Sequence, residues 1–189
     1  MPGDRIRPLA AADRDGVCRI LEGAGNFTAD EVAIALELVD EWIELGEESG
    51  YLTYVLDSPA DGDGVLGYVC FGPTPLTEST YDLYWIAVDK SKHRGGVGRR
   101  LLKFTEEEVI RRGGKLLLVE TSSQETYGGT IQFYERTGYE LAGRIKDYYK
   151  PDDDKLIFAK ALAAAVQVET PFIDRIVREG GRVEAPGAA

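Results

Sequence analysis

Val88-Asp89-Lys90-Ser91-Lys92-His93-Arg94-Gly95-Gly96-Val97-Gly98-Arg99-Arg100-Leu101-Leu102 sets glycines and basic residues between a strand pattern and a helix pattern. On its amino-terminal side, Tyr81-Asp82-Leu83-Tyr84-Trp85-Ile86-Ala87-Val88 is rich in aromatic and β-branched residues, which suit a pleated, half-buried surface. On the other side, Val97, Leu101, Phe104, Val109 and Ile110 recur at helical spacing, with Glu106, Glu107 and Glu108 assigned to the polar side. Glycines 95, 96 and 98 let the backbone approach a ligand with no Cβ in the way, and the first turn of the helix aims its unpaired amides at the same place. The arrangement reads as a cradle for a phosphate-like anion.

Two familiar phosphate loops fit poorly. A P-loop ends in Gly-Lys-Ser/Thr where this loop has Gly98-Arg99-Arg100, and a dinucleotide fingerprint wants glycine or alanine where Leu101 stands. The run His93-Arg94-Gly95-Gly96-Val97-Gly98 instead resembles the pyrophosphate motif of the GNAT acyltransferase superfamily, Gln/Arg-x-x-Gly-x-Gly/Ala, with His93 at the position filled there by Gln or Arg. Downstream, Lys115-Leu116-Leu117-Leu118-Val119-Glu120-Thr121 suits a buried strand. The run Ile131-Gln132-Phe133-Tyr134-Glu135-Arg136-Thr137-Gly138-Tyr139 then resembles the family's Phe-Tyr-Glu-Lys-x-Gly-Phe signature, with Gly138 placed to end a helix. Asp147-Tyr148-Tyr149 through Phe158 resembles the hairpin that closes the sheet and borders the acceptor groove. These signals follow the family's order and cover most of residues 5–162.

The resemblance implies an α/β (α+β) chain: a mixed central β-sheet of six to seven strands flanked by helices over residues 1–162, followed by an extension, 163–189. In that extension Thr170 to Gly181 carries a cap, a proline at the first helical position and terminal glycines, so a short helix is expected with Phe172, Ile173, Ile176 and Val177 on one face. That stripe either packs on its own domain or docks onto a partner subunit in a homodimer. The end, Ala185–Ala189, is expected to be disordered.

The remaining segments follow from pattern. Arg5-Ile6-Arg7 is a short strand, and Ala11 to Glu22 a helix with Val17, Ile20 and Leu21 inward. Thr28-Ala29-Asp30-Glu31 is a capping box opening a helix to about Leu45, with Val32, Leu36, Val39 and Ile43 as its inward stripe. Strands at 51–56 and 65–71 are joined by a polar, glycine-rich turn.

Bulk properties exclude several classes. A formal charge of −11 argues against nucleic acid or an anionic membrane surface as the main partner and favours cationic acceptors. The two cysteines, Cys18 and Cys70, have neither the spacing nor the neighbouring histidine of a metal site or redox pair, and both read as small buried residues. No run of ~18 apolar residues exists to span a bilayer, and no basic-then-apolar leader opens the chain, so the expected location is the cytoplasm.

The resemblance also implies the cofactor, acetyl-coenzyme A, and a direct transfer of its acetyl group to an amine. A lysine-like amine has a pKa of ~10.4 and must lose its proton to attack a thioester, so a carboxylate is needed nearby. Asp82 is the first candidate, where some family members carry a glutamate base; alternation puts Tyr84 on the same face. Glu120 is the second candidate. Tyr134 occupies the place of the tyrosine that serves the departing thiolate in the family. A bulge near Ile86-Ala87-Val88 would free main-chain groups for the pantetheine arm and the thioester carbonyl. With His93, Arg94, Gly95, Gly96, Val97, Gly98 and Arg99, these residues make up the expected cofactor site. Tyr84, Tyr148 and Tyr149, together with Trp42 and Tyr81, suit a small cationic or amino-acid-like amine; a peptide or protein amine is the alternative. No metal is implied. A non-catalytic acyl-coenzyme A sensor would keep the cradle but need no base or acid.

Overall fold

The computed structural model describes residues 5–58, 64–92 and 95–162. His93 and Arg94, and the expected helix and tail beyond Leu162, lie outside the described residues.

In chain order the elements are β1 (Arg5–Pro8), α1 (Arg14–Ala24), α2 (Ala29–Leu45), β2 (Leu52–Ser58), β3 (Gly64–Pro73), β4 (Thr80–Val88), α3 (Val97–Arg111), β5 (Leu116–Ser122), α4 (Gly128–Arg136), β6 (Glu140–Lys150) and β7 (Asp153–Ala161). The strands form a seven-stranded sheet in the order β1-β2-β3-β4-β5-β7-β6. Every neighbouring pair is antiparallel except β4 and β5, which are parallel because α3 carries the chain back between them.

That parallel pair is short. β4 and β5 are paired only from Thr80 opposite Leu116 to Leu83 opposite Val119. Beyond that rung β4 stays on β3 as far as Val88, while β5 stays on β7 as far as Ser122, so a wedge opens between them. At the same point β4 carries one residue too many. Cys70 faces Trp85 and Phe71 faces Leu83, which leaves Tyr84 as a bulge. The bulge lies two residues before the Ile86–Val88 segment where the sequence suggested it.

The two faces of the sheet follow from this register. Leu83 lies beside Phe71, whose ring stacks on Tyr54 at 6.0 Å; Tyr54 in turn meets Phe104 of α3 at 4.7 Å. Across the rung, Val119 lies beside Phe158, on which Tyr134 of α4 packs at 6.1 Å. This is the helical face of α3 and α4. Asp82 and Trp85 turn the other way, Trp85 meeting the edge of Phe27 from the α1–α2 connection.

α3 is seated closely on the sheet at Gly67, where a Cβ would come within 2.9 Å of the Ala87 carbonyl oxygen and 3.0 Å of Leu101. Its buried side is Val97, Leu101, Leu102, Thr105, Glu108 and Val109, which corrects two expectations: Ile110 is exposed and Glu108 is buried. Glu108 can be inside because it accepts from Arg111 and Arg112, which satisfy its charge. α2 begins at the expected box, Glu31 N–H donating to Thr28 Oγ1 at 3.2 Å and Thr28 N–H to Glu31 Oε2 at 2.7 Å. Its fully buried stripe is Val32, Ala35, Val39 and Trp42, and Leu36 and Ile43 of the expected stripe pack against the core partly buried. Small Ala35 lets the helix turn so that Trp42 enters the core and donates Nε1–H to the Leu9 carbonyl at 2.9 Å. Trp42 is therefore a core residue and not part of an acceptor wall. Tyr81 lies on the α3 face against Gly114, also away from the acceptor side. Cys70 is buried and Cys18 only half-buried; both are free thiols. Among the described residues no helix is long and apolar enough to cross a membrane.

Candidate active site

The wedge between β4 and β5 opens into a cleft of about 770 Å³. β4 lines it with Ile86, Ala87 and Val88; the loop and first turn of α3 with Lys92, Gly96, Val97, Gly98 and Arg99; α4 and the turn before it with Thr126, Gly129, Thr130, Phe133 and Tyr134; the α1–α2 connection with Ala24, Asn26 and Phe27. Volume and lining fall in the range of small-molecule and cofactor sites, which are mostly apolar with a few placed polar groups.

The polar end of the cleft is the start of α3. Arg100 N–H is the first to bond back one turn, to Gly96 O at 3.0 Å. The geometry of a helix start thus leaves the amides of Val97, Gly98 and Arg99 turned toward the cleft. Gly96 has φ +80°, a left-handed conformation that a side chain would strain, and it supplies the corner from which the helix departs. The first turn holds no acidic residue and instead carries Arg99 and Arg100. Positive charge at the positive end of the helix dipole is unfavourable unless an anion shares the place. The apolar end is walled by Phe27, Ile86, Val88 and Phe133, and among the described residues β4 pairs with β5 only as far as Leu83. A phosphate-bearing cofactor with a long uncharged arm fits these residues: the anion at the amides and Arg99, the arm along the cleft-lining stretch of β4.

Tyr134 lines the same cleft and is buried to 3% of its surface. Its ring is held between Phe133, Tyr139 and Phe158, and burial pushes its phenol well above the ordinary tyrosine range. It is therefore a protonated hydroxyl at neutral pH.

Asp82 and Glu120 do not line the cleft. They flank the apex of the wedge on the opposite face, one residue before and one after the last rung, because Leu118 is opposite Asp82 and Glu120 lies two residues on. Asp82 accepts the Thr74 hydroxyl through Oδ2 at 2.7 Å, which fixes the carboxylate and leaves Oδ1 for another donor. Tyr84 stands beside it, its ring edge-on to Tyr51 at 5.4 Å. Burial, assisted by the Asp82 charge, pushes the Tyr84 phenol up to about 12. Glu120 is engaged by Lys155. Tyr148 and Tyr149 stand at the end of β6, mutually edge-on at 4.9 Å, with Lys155 Nζ 4.7 Å from the centre of the Tyr148 ring. Tyr127 donates to Glu31 Oε1 at 3.0 Å, tying the segment before α4 to the start of α2.

The structure thus brings Ile86, Ala87, Val88, Gly96, Val97, Gly98, Arg99 and Tyr134 to one cleft, while Gly95 is outside its lining and turns its amide to Lys92 O at 3.1 Å. Sequence reasoning missed Phe27, Asn26, Thr130 and Lys155. Gly128-Gly129-Thr130, a second glycine-rich helix start, was a readable signal; Phe27 and Lys155 carry none.

The sequence profile of the acetyltransferase (GNAT) domain matches residues 49–141. A solved structure of a GNAT-family protein from Desulfovibrio desulfuricans is 39% identical, with a TM-score of 0.80 over 85% of this chain and 99% of that one. The ribosomal-protein-S18-alanine N-acetyltransferase of Escherichia coli shares the fold, at 24% identity and a TM-score of 0.67 over 87% of this chain and 97% of that one. The S-(2-succino)cysteine N-acetyltransferase of Bacillus subtilis is 30% identical over 73 residues, 39% of this chain and 44% of that protein, so the match spans less than half of its length.

Proposed function

We propose, from the premise that this chain belongs to the GNAT acetyltransferase family, that it moves an acetyl group from acetyl-coenzyme A directly to the primary amine of a small, amino-acid-like acceptor. The observation that carries this reading is the wedge after Leu83–Val119. It gives one aperture two different banks: amides and apolar walls on the side of α3 and α4, fixed carboxylates and tyrosines on the other.

Bound acetyl-coenzyme A supplies an activated thioester. The amides of Val97, Gly98 and Arg99 hold its pyrophosphate, the stretch of β4 at Ile86–Val88 that lines the cleft aligns its arm, and a main-chain amide of β4 polarises the thioester carbonyl. Asp82, anchored by Thr74, takes a proton from the acceptor's ammonium, directly or through one water, so that a neutral nitrogen attacks. As the C–N bond forms and the C–S bond breaks, Tyr134 hydrogen-bonds or gives its proton to the sulfur, and burial keeps that phenol in the protonated form the role requires. Glu120 is a weaker candidate for the base because its carboxylate is already occupied by Lys155. The amino-acid-like acceptor draws support from the name of the B. subtilis relative, an enzyme that acetylates a modified cysteine. A purely sensing role would need neither the carboxylate fixed by Thr74 nor the buried phenol of Tyr134.

The test is thiol release from acetyl-coenzyme A across a panel of free amino acids, polyamines and short peptides. Turnover with an amino-acid class of amine, lost in Asp82→Asn, supports the reading; tight coenzyme binding with no turnover on any amine would replace it with the sensor.

A further inference from the structure

On the acceptor bank stands a cation that the transfer chemistry does not use. Lys155 sits on β7 opposite Ser122, two residues from Ile157, which faces Glu120. Strand alternation therefore sends Lys155, Glu120 and Asp82 to the same face of the sheet. Only 14% of the Lys155 side chain is exposed, and its ammonium lies between the Glu120 carboxylate and the face of Tyr148.

An ammonium has three protons to donate, and taking it out of water costs heavily unless those protons find acceptors. Glu120 provides acceptors from one side and the Tyr148 ring a weaker attraction from another. As a device for stability such a pair is poor, since the buried ammonium bears a desolvation cost while its half-exposed partner Glu120 is screened by water. As a receptor it is well placed. Across the apex of the wedge the charges run Asp82 negative, Glu120 negative, Lys155 positive, between tyrosine rings. A molecule with an ammonium at one end and a carboxylate at the other matches that order.

We infer that Lys155 receives the carboxylate of the acceptor, which makes the acceptor a free amino acid rather than a polyamine or the amino terminus of a peptide. The inference rests on the proposed transfer to an amine. Glu120 is then the resident counter-ion that keeps Lys155 in place in the empty enzyme, and Tyr148 the wall on which the acceptor's backbone lies. A peptide amino terminus offers an amide where the carboxylate should be and leaves the Lys155 proton unmatched.

The experiment compares kcat/KM, per neutral amine, for free L-amino acids and S-carboxymethylcysteine against their methyl esters, in wild type, Lys155→Arg and Lys155→Met. Wild type should prefer the free acids by about 30-fold or more, the scale of one charge-assisted hydrogen bond to a desolvated group. Lys155→Met should erase the preference through a raised KM for the acids, with thermal unfolding and coenzyme affinity as the checks of folding; Lys155→Arg should restore part of it. Equal turnover of acids and esters by wild type, or an intact preference in Lys155→Met, overturns the carboxylate role alone. Absence of transfer to either kind of amine overturns it together with the acetyltransferase reading.

Discussion

Thr74 Oγ1 donates to Asp82 Oδ2 at 2.7 Å, so one of the two carboxylates flanking the apex of the wedge is held by a residue of the β3–β4 connection rather than by its own strand. Replacing Asp82 by asparagine keeps the shape and removes the proton acceptor. Turnover should fall by ~10²–10⁴, the usual worth of a general base, while coenzyme affinity hardly changes. Raising the pH should restore part of the rate as the amine loses its proton in solution. Glu120→Gln is the control: a collapse there with full activity in Asp82→Asn would move the base to β5.

Tyr134→Phe should lower turnover on the same scale without alkaline recovery, because the lost group serves the sulfur and not the amine. The pH profile of the turnover step separates the two variants. A rate that rises with pH in parallel with Asp82→Asn would show that Tyr134 does not serve the leaving group.

Gly98→Ala and Gly96→Ala should weaken acetyl-coenzyme A binding far more than Arg99→Ala. A Cβ at Gly98 meets only Val88 at 3.5 Å and Phe133 at 3.8 Å, so the protein itself tolerates it and the loss should appear in calorimetric titration but not in Tm. At Gly96, with φ +80°, alanine should cost both affinity and about 1–2 kcal/mol of stability. Equal losses in all three variants would mean that exposed charge, which salt screens, holds the pyrophosphate.

Arg7 donates to Asp13 at 2.6 and 2.8 Å and to Asp57 at 2.6 Å, binding β1 to α1 and β2. The Arg7 hydrogen bond, more than any other cause, holds the Asp13 carboxyl below its ordinary 3.8. A depressed pKa means stabilisation that is complete above 3.8 and disappears as pH falls through the folded value. Thermal unfolding in Arg7→Met should therefore show a loss of about 3 kcal/mol at neutral pH, the scale for breaking a largely buried pair. The variant should also lose less on acidification below pH 4 than wild type does; equal acid sensitivity would place the titrating group elsewhere.

Trp42→Phe removes the donor to the Leu9 carbonyl and should lower stability by about 1–3 kcal/mol with KM for every amine unchanged. A selective rise in KM would return Trp42 to the acceptor side.

The parts legible from sequence were those whose signal is local. The Thr28–Glu31 box, the aromatic strand before the glycine loop and the Phe133–Tyr139 run each declare themselves within about ten residues, and each stands in the structure where the pattern put it. What escaped depends on partners distant in sequence. The stripe of α2 is centred on Ala35 and Trp42, with Leu36 and Ile43 packed only at its margin. Glu108 goes inward only because two arginines of the next turn accompany it. Lys155 looks like any lysine of an edge hairpin until Glu120 and Tyr148 are seen to enclose it. The bulge at Tyr84 is invisible because aromatic residues stand on both sides of it, so the alternation reads smoothly through the extra residue.

That single surplus residue gives β4 a parity. Up to Leu83 the odd-numbered side chains turn to α3; after Tyr84 the even-numbered ones, Ile86 and Val88, take over that direction. Chemistry at the apex is thus phased to one half of the strand and the cofactor's bank to the other, with Tyr84 as the step between them. Deleting Tyr84 alone would remove the bulge and let Leu83 and Trp85 follow one another in plain alternation, keeping the partners of Trp85 to Val88 on β3 while closing the step at the apex.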